Sequence, residues 1–188
     1  MSTSAPPEFR SLLVESVSSF CRLSPAQLDQ LERHYGLLRV WNRKLNLTRI
    51  VDVREAVELH YGESLFLATC LPPGPLSVAD LGSGAGFPGI PLAVARPECM
   101  VRLIEARRRK AVFLQEASRG LANVRVLAER AEAVEETFDW VVSRAVKWED
   151  LRQTAMRLAP AAAFLTAEGG IPCPWGARRF VRIVSRGT

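Results

Sequence analysis

Only two histidines, His34 and His60, occur in the 188 residues, and the four cysteines, Cys21, Cys70, Cys99 and Cys173, lie far apart. No two of these cysteines form a C-x-x-C pair, so neither a zinc site nor a disulfide framework is expected, and no metal. Scattered thiols fit a reducing compartment, which makes cytoplasm the expected location. No apolar run reaches the length of a membrane span, so no membrane partner is expected. Glu8, Arg10 and Glu15 interrupt the N-terminal stretch, and no secretory signal is expected there.

What is present is a chain with 48% hydrophobic residues, enough for one compact domain with a substantial core. Its centre is V-A-D-L-G-S-G-A-G-F-P-G-I-P-L, from Val78 to Leu92. A short apolar strand, 76–80, turns through Gly82, Gly84 and Gly86 and opens a helix near Phe87. Closely spaced glycines let backbone N–H groups approach a ligand, because no Cβ intervenes. The helix start beyond them offers free donors and a positive dipole end. This is a nucleotide-type cradle. Gly84 to Gly89 formally matches G-x-G-x-x-G, a weak signal alone. Glu105, about twenty residues on, ends a second strand, 100–105, where a carboxylate can accept both ribose hydroxyls of an adenosine. NAD and S-adenosyl-L-methionine share that adenosine, so Glu105 does not separate them.

The rest of the chain reads as an α/β fold, a mostly parallel sheet flanked by helices with an N-terminal helical extension. Residues 1–74 form the helical region and 75–188 the nucleotide-binding core. Helices are expected at 8–21, from the capping box Ser24-Pro25-Ala26-Gln27 onward, and from a second box, Asp52 to Glu55, to about His60. Gly62 is expected to break that last helix before 63–70. Further strands are expected at 124–128, 138–143, 161–167 and 179–185, giving six in all. Gly82, Glu105, Glu132 and Arg144 then fall at four successive strand ends, where open α/β sheets bind ligands.

The formal charge is +5, and basic residues gather in 39–54, 107–110 and 178–186. Each group alone reads as a solvated face; three groups beside a nucleotide cradle point to RNA. Arg107, Arg108 and Arg109 open a helix, where the dipole disfavours cations, which points to phosphate contact. Arg43 and Asn46 near the end of the long helix read either as an RNA-facing rim or, for Asn46, as a helix-end cap.

Several segments resemble the RsmG family, also called GidB, bacterial methyltransferases of small-subunit ribosomal RNA. They are Asp80 to Leu92; Trp41 to Thr48 (W-N-x-x-x-N-L-T); His60 to Leu65 (H-x-x-D-S-L, with Glu63 for aspartate); Arg130-Ala131-Glu132; and Ser143-Arg144-Ala145-Val146. The resemblance implies a class I, Rossmann-like methyltransferase fold. It implies S-adenosyl-L-methionine as donor and N7 of a guanosine in 16S ribosomal RNA, free or in a small-subunit precursor, as acceptor. Gly82, Gly84, Gly86, Phe87, Glu105, Ala131, Glu132 and Arg144 would hold the cofactor, and Arg144 would also position the base. A monomer is expected. Guanine N7 carries a lone pair and no proton, so no catalytic base is expected, and Phe87 would offer an aromatic edge or face to the spreading positive charge.

The chain departs from the family after the fifth strand. Thr166-Ala167-Glu168-Gly169-Gly170 replaces a lysine-glycine, and the expected remainder lacks a helix and a strand, leaving a newly exposed sheet edge. Two other readings stay open. One is an NAD-dependent oxidoreductase, against which both histidines are expected to lie outside the core. The other is a catalytically inactive RNA-binding or ribosome-assembly relative.

Overall fold

Helix starts follow from residue type. The Ser24 hydroxyl accepts from the Gln27 backbone N–H while the Gln27 side chain accepts from the Ser24 N–H, and α2 (Pro25–Leu45) follows. The computed structural model describes residues 4–144, 146–175 and 179–186. α1 (Phe9–Val17) buries Phe9, Leu13 and Val17, with Phe9 stacked on Tyr35 at 4.6 Å. Asp52 caps α3 (Val53–Ala56) by accepting from the Glu55 N–H.

The expected break at Gly62 is absent. α3 runs through a π-helical turn, Val57–Gly62, directly into α4 (Glu63–Cys70), and Gly62 keeps helical dihedrals. Here glycine serves packing, since a Cβ would lie 2.9 Å from the Trp175 ring. The widened turn buries both His60 and Tyr61.

From Ser77 strands and helices alternate. β1 (Ser77–Leu81), α5 (Gly89–Ala95), β2 (Met100–Ile104), α6 (Arg108–Ala117), β3 (Val124–Leu127), β4 (Trp140–Arg144), α7 (Trp148–Leu158) and β5 (Ala161–Thr166) come in that order. A 3-10 turn, Ala131–Ala133, joins β3 to β4. β6 (Ile171–Pro172) and β7 (Phe180–Ser185) complete a seven-stranded sheet of order β3-β2-β1-β4-β5-β7-β6. β1 to β5 are parallel; β7 runs antiparallel to β5, and β6 to β7.

The pleat sends alternate residues to opposite faces. Val78, Val101, Val142 and Ala163 join the larger apolar cluster with α1, α2, α4, α5 and α6. Ala79, Ile104, Val141 and Ala162 join a smaller one with α7.

Seven strands form rather than six, because Ile171 and Pro172 pair with Val181 and Phe180. Proline suits an outermost strand, where no N–H is needed. Gly170 (φ +128°) permits the close return, as a Cβ there would collide with the Val181 carbonyl. The edge is therefore short and blunted rather than newly bare. As expected, no helix lies between β5 and β7 among the described residues. Nor is any helix among them long and apolar enough to cross a membrane.

β2 and β3 lie on one side of β1 and β4 on the other. The connections reverse direction between β1 and β4, which is where such sheets open a crevice.

Candidate active site

A cleft of about 1160 Å³ opens at that reversal. Its floor is the loop after β1, with Gly82, Ser83, Gly84, Ala85 and Phe87; one wall is His60, Arg144 and Val146, and the rim carries Asn46 to Val51, Arg107 and Lys110.

The glycines divide into two kinds. Gly82 (φ +71°) and Gly84 (φ +55°) adopt left-handed backbone, and a Cβ would meet nothing nearer than 3.4 Å and 3.6 Å respectively. These two line the cleft, and their left-handed backbone, rather than crowding, is what calls for glycine. Gly86 and Gly89 instead serve packing. A Cβ on Gly86 would lie 2.6 Å from Ile90 Cδ1, and one on Gly89 2.6 Å from Asp80 Oδ2. Gly86 accordingly does not line the cleft, contrary to its expected cofactor contact.

Two acids hold the loop from beneath. Asp80 is fully buried, and its Oδ2 accepts the Gly89 N–H at 3.0 Å. Burial pushes its carboxyl pKa up to about 7, against that hydrogen bond. Glu105 Oε2 accepts the Gly84 N–H at 3.0 Å and its Oε1 the Arg107 N–H at 2.8 Å. Glu105 thus ties the loops after β1 and β2 together. Each oxygen keeps a lone pair for a further donor, such as a ribose hydroxyl.

The histidines, expected outside the core, pack against this loop. His34 is wholly buried; its Nε2 donates to the Ala85 carbonyl at 3.0 Å, and the Tyr61 hydroxyl donates to its Nδ1 at 2.8 Å. Burial lowers the His34 pKa to about 4. His60 stacks on Phe87 with centroids 4.6 Å apart and planes 18° from parallel. Arg144 Nη1 donates to His60 Nδ1. A guanidinium has no acceptor, so the His60 proton sits on Nε2 and is donated to Thr48 Oγ1 at 2.8 Å. Burial, then the Arg144 charge, lower the His60 pKa to about 3. Neither histidine is a free proton donor, so the objection to hydride chemistry survives on different grounds.

Arg144 is held from several sides. Its Nε lies 3.7 Å from Glu63 Oε2, its Nη1 on His60, and its guanidinium carbon 5.9 Å from the Phe87 ring centre. Glu63, fully buried, also pairs with Arg179 Nε at 3.1 Å. Burial raises the Glu63 pKa against both arginines. The carboxylate paired with Arg144 is thus Glu63, from the helical region, while the nearer-in-sequence Asp139 accepts from Ser77. His60 hydrogen-bonds Thr48 and Arg144, while Glu63 makes ion pairs with Arg144 and Arg179.

Other expected residues scatter. Asn46 ends α2 in left-handed backbone (φ 47°) and lines the cleft, so both of its readings hold. Arg43 lines a smaller neighbouring pocket with Tyr35 and Val51. Arg107 is at the cleft, whereas the exposed Arg108 and Arg109 do not line it. Ala131 and Glu132 lie in the turn after β3, outside the cleft lining; their carbonyls accept from Arg157, and Glu132 pairs with Arg130 at 3.5 Å. One face of Phe87 is covered by His60, so that face is closed to a substrate. Ala145 is outside the described residues.

Sequence reasoning did not foresee the contacts that Asn42, His34, Tyr61 and Arg179 make. Asn42 clasps the rim, donating to the Thr48 carbonyl at 3.0 Å and accepting its N–H at 2.8 Å. The W-N-x-x-x-N-L-T segment held that signal, because its first asparagine is six residues from the threonine. The contacts of His34, Tyr61 and Arg179 have no local signature.

Residues 27–169 match the family model for rRNA small subunit methyltransferase G, GidB. The "Ribosomal RNA small subunit methyltransferase G" of Pelotomaculum thermopropionicum is 38% identical over 180 residues, 85% of this chain and 73% of that protein. That of Roseiflexus castenholzii is 43% identical over 133 residues, 66% of this chain and 57% of that protein. The chain thus spans a little over half the length of several curated relatives. Among solved structures, a coclaurine N-methyltransferase bound to N-methylheliamine and SAH superposes with a TM-score of 0.52 at 17% identity. That match covers 84% of this chain and 56% of the other. It shows the fold alone.

Proposed function

The chain belongs to the rRNA small subunit methyltransferase G (GidB) family, and from that premise we propose that it methylates N7 of a guanosine in 16S ribosomal RNA, using S-adenosyl-L-methionine. The observation that carries this reading is the floor of the cleft. Gly82 and Gly84 line the cleft in left-handed backbone that side-chain-bearing residues rarely adopt, and Glu105 beside them has unused acceptor capacity. That combination fits an adenosine-bearing sulfonium. Bound there, it supplies a methyl group on positively charged sulfur.

The protein's task is then alignment. With the donor held at Gly82, Gly84 and Glu105, transfer would be in line: a C–S bond would break as an N–C bond to N7 forms, and the positive charge would pass from sulfur to the purine. No proton moves, so no base is needed. His60, kept neutral at one wall, adds no charge opposing the new cation. Arg144 would oppose it if aimed at N7, and it would also occupy the attacking lone pair. A donor on the adjacent O6 would instead hold the base and leave N7 free. Asn46 and Arg107 on the cleft rim, and Arg43 in the pocket beside it, are candidate RNA contacts, and Arg108 and Arg109 remain candidate phosphate contacts. The fold and acceptor fit a cytoplasmic protein acting on ribosomal RNA or a small-subunit precursor as a monomer.

Transfer of tritiated methyl to 16S ribosomal RNA from a strain lacking the family enzyme tests this reading. Incorporation at one guanosine N7 is expected. Binding of NAD but not S-adenosyl-L-methionine in a calorimeter would sink it. Cofactor binding without transfer would favour the inactive RNA-binding relative.

A further inference from the structure

A second cavity, of about 510 Å³, lies beyond the ends of β4 and β5 and is lined by Arg144, Lys147, Trp148, Phe164, Arg179 and Arg182. Its volume falls within the range of small-ligand sites. Arg144 and Val146 line both this cavity and the cleft. Molecules seated in the two would therefore be neighbours, with one guanidinium between them.

The chemistry of the second cavity differs from that of the cleft. Four of the lining residues are cations, Arg144, Lys147, Arg179 and Arg182, against two carboxylates, Glu149 and Glu168, which leaves positive charge in excess. Arg144 and Arg179 share one buried carboxylate, Glu63, at 3.7 Å and 3.1 Å. A single carboxylate offsets only one of two guanidinium charges. Lys147 and Arg182 have no ion-pair partner among the described residues. Next to these cations, half-buried Trp148 stacks flat on Phe164, with centroids 4.8 Å apart and planes 5° from parallel. Surplus cations call for an anion, and an aromatic beside them calls for a flat ring. A nucleotide presents both, a phosphate and a base.

We propose that this cavity seats the acceptor guanosine, splayed out of its RNA strand, with its phosphate against Arg179, Arg182 and Lys147 and its base beside Trp148. The inference rests on the methyl-transfer reading above. It assigns Arg144 the place between acceptor and donor, where the purine edge turns towards the cleft.

The test uses the full chain, saturated with S-adenosylhomocysteine, and a fluorescently labelled single-stranded oligoribonucleotide containing one guanosine. Arg182→Glu, an exposed change, should weaken binding about tenfold and reduce its salt dependence. Trp148→Ala should also weaken it about tenfold, and Trp148→Phe should restore most of the loss. In methylation assays the same variants should raise KM for RNA, while the cofactor Kd stays at the wild-type value. Wild-type RNA binding and KM in Arg182→Glu, with Trp148→Ala either binding as the wild type or unfolded, would overturn the proposal and leave the methyl-transfer reading standing. If the wild-type chain transfers no methyl at all, that reading fails, and the oligonucleotide arm still decides the cavity. Loss of binding in Arg182→Glu then supports it; no loss, or no RNA binding by the wild type, overturns it.

Discussion

Glu105 and Glu63 are both buried carboxylates beside the cleft, yet Glu105 accepts two backbone N–H bonds and Glu63 accepts no hydrogen bond among the described residues. Glu105 is solvated, in effect, by neighbouring main chain, from Gly84 and Arg107. Glu63 depends on two distant guanidinium groups, Arg144 and Arg179. The contrast extends to the two walls. The glycine-loop side is shaped by local backbone and held by nearby acids. The Arg144 side is assembled from segments far apart in the chain. Removing a part should therefore cost ligand affinity on the first side and stability on the second.

Glu63→Ala sharpens this most. It leaves Arg144 buried beside His60 with no counter-ion, and loss of one partner of a buried pair costs about 3–5 kcal/mol. Urea unfolding measures it. A loss under about 1 kcal/mol would mean that Arg144 relaxes into the cavity, and the contrast between the walls would fail.

His34 comes next, because it joins α2 to the glycine loop. Its folded pKa of about 4 lies below the ordinary 6.5, so the fold holds the neutral ring. Its contribution is full above pH 6.5 and lost as pH falls from 6.5 towards 4, by about 3 kcal/mol in total. Asp80, with its pKa raised to about 7, acts in the opposite sense and loses stability as pH rises through that value. The wild-type curve sums both, so the comparison to make is wild type minus His34→Gln. That difference should slope only between those limits, and a flat difference would mean that protonation of His34 is uncoupled from folding.

Glu105→Ala should act on affinity. Loss of charge-assisted bonds of about 1.5–3 kcal/mol weakens S-adenosyl-L-methionine roughly ten- to a hundredfold. Melting should change far less than in Glu63→Ala, because the freed N–H groups lie in loops that water can reach. Calorimetric titration decides it; unchanged affinity would place the adenosine away from this loop.

The smallest effect is expected from Arg144→Lys. The charge beside Glu63 persists, so stability should stay near wild type, while single-turnover methyl transfer falls about tenfold because lysine lacks the planar fork. Normal transfer would reduce Arg144 to a charge that merely balances Glu63.

These differences also separate what was legible beforehand. The loop after β1, both N-terminal caps and the strand-helix alternation depend on residues a few positions apart, so pattern alone finds them. Gly62 misled because a glycine in a helix reads as a break, and nothing local announces that Trp175 occupies its side-chain space. The seventh strand was missed because two residues with a proline carry almost no strand pattern. Ala131 and Glu132 were assigned to the site by resemblance, yet the turn after β3 uses their carbonyls to hold Arg157.

By itself the sequence determined the α/β alternation, the glycine cradle and the acid at the end of β2, since those follow from short-range sterics and hydrogen bonding. Only the tertiary structure decided which side chains face the cradle. Arg144 meets His60 across 84 positions, and His34 reaches Ala85 across 51. Such pairs form because the sheet order and the packed helices bring their segments together, and desolvation then leaves each buried polar group bound to whatever partner is within reach.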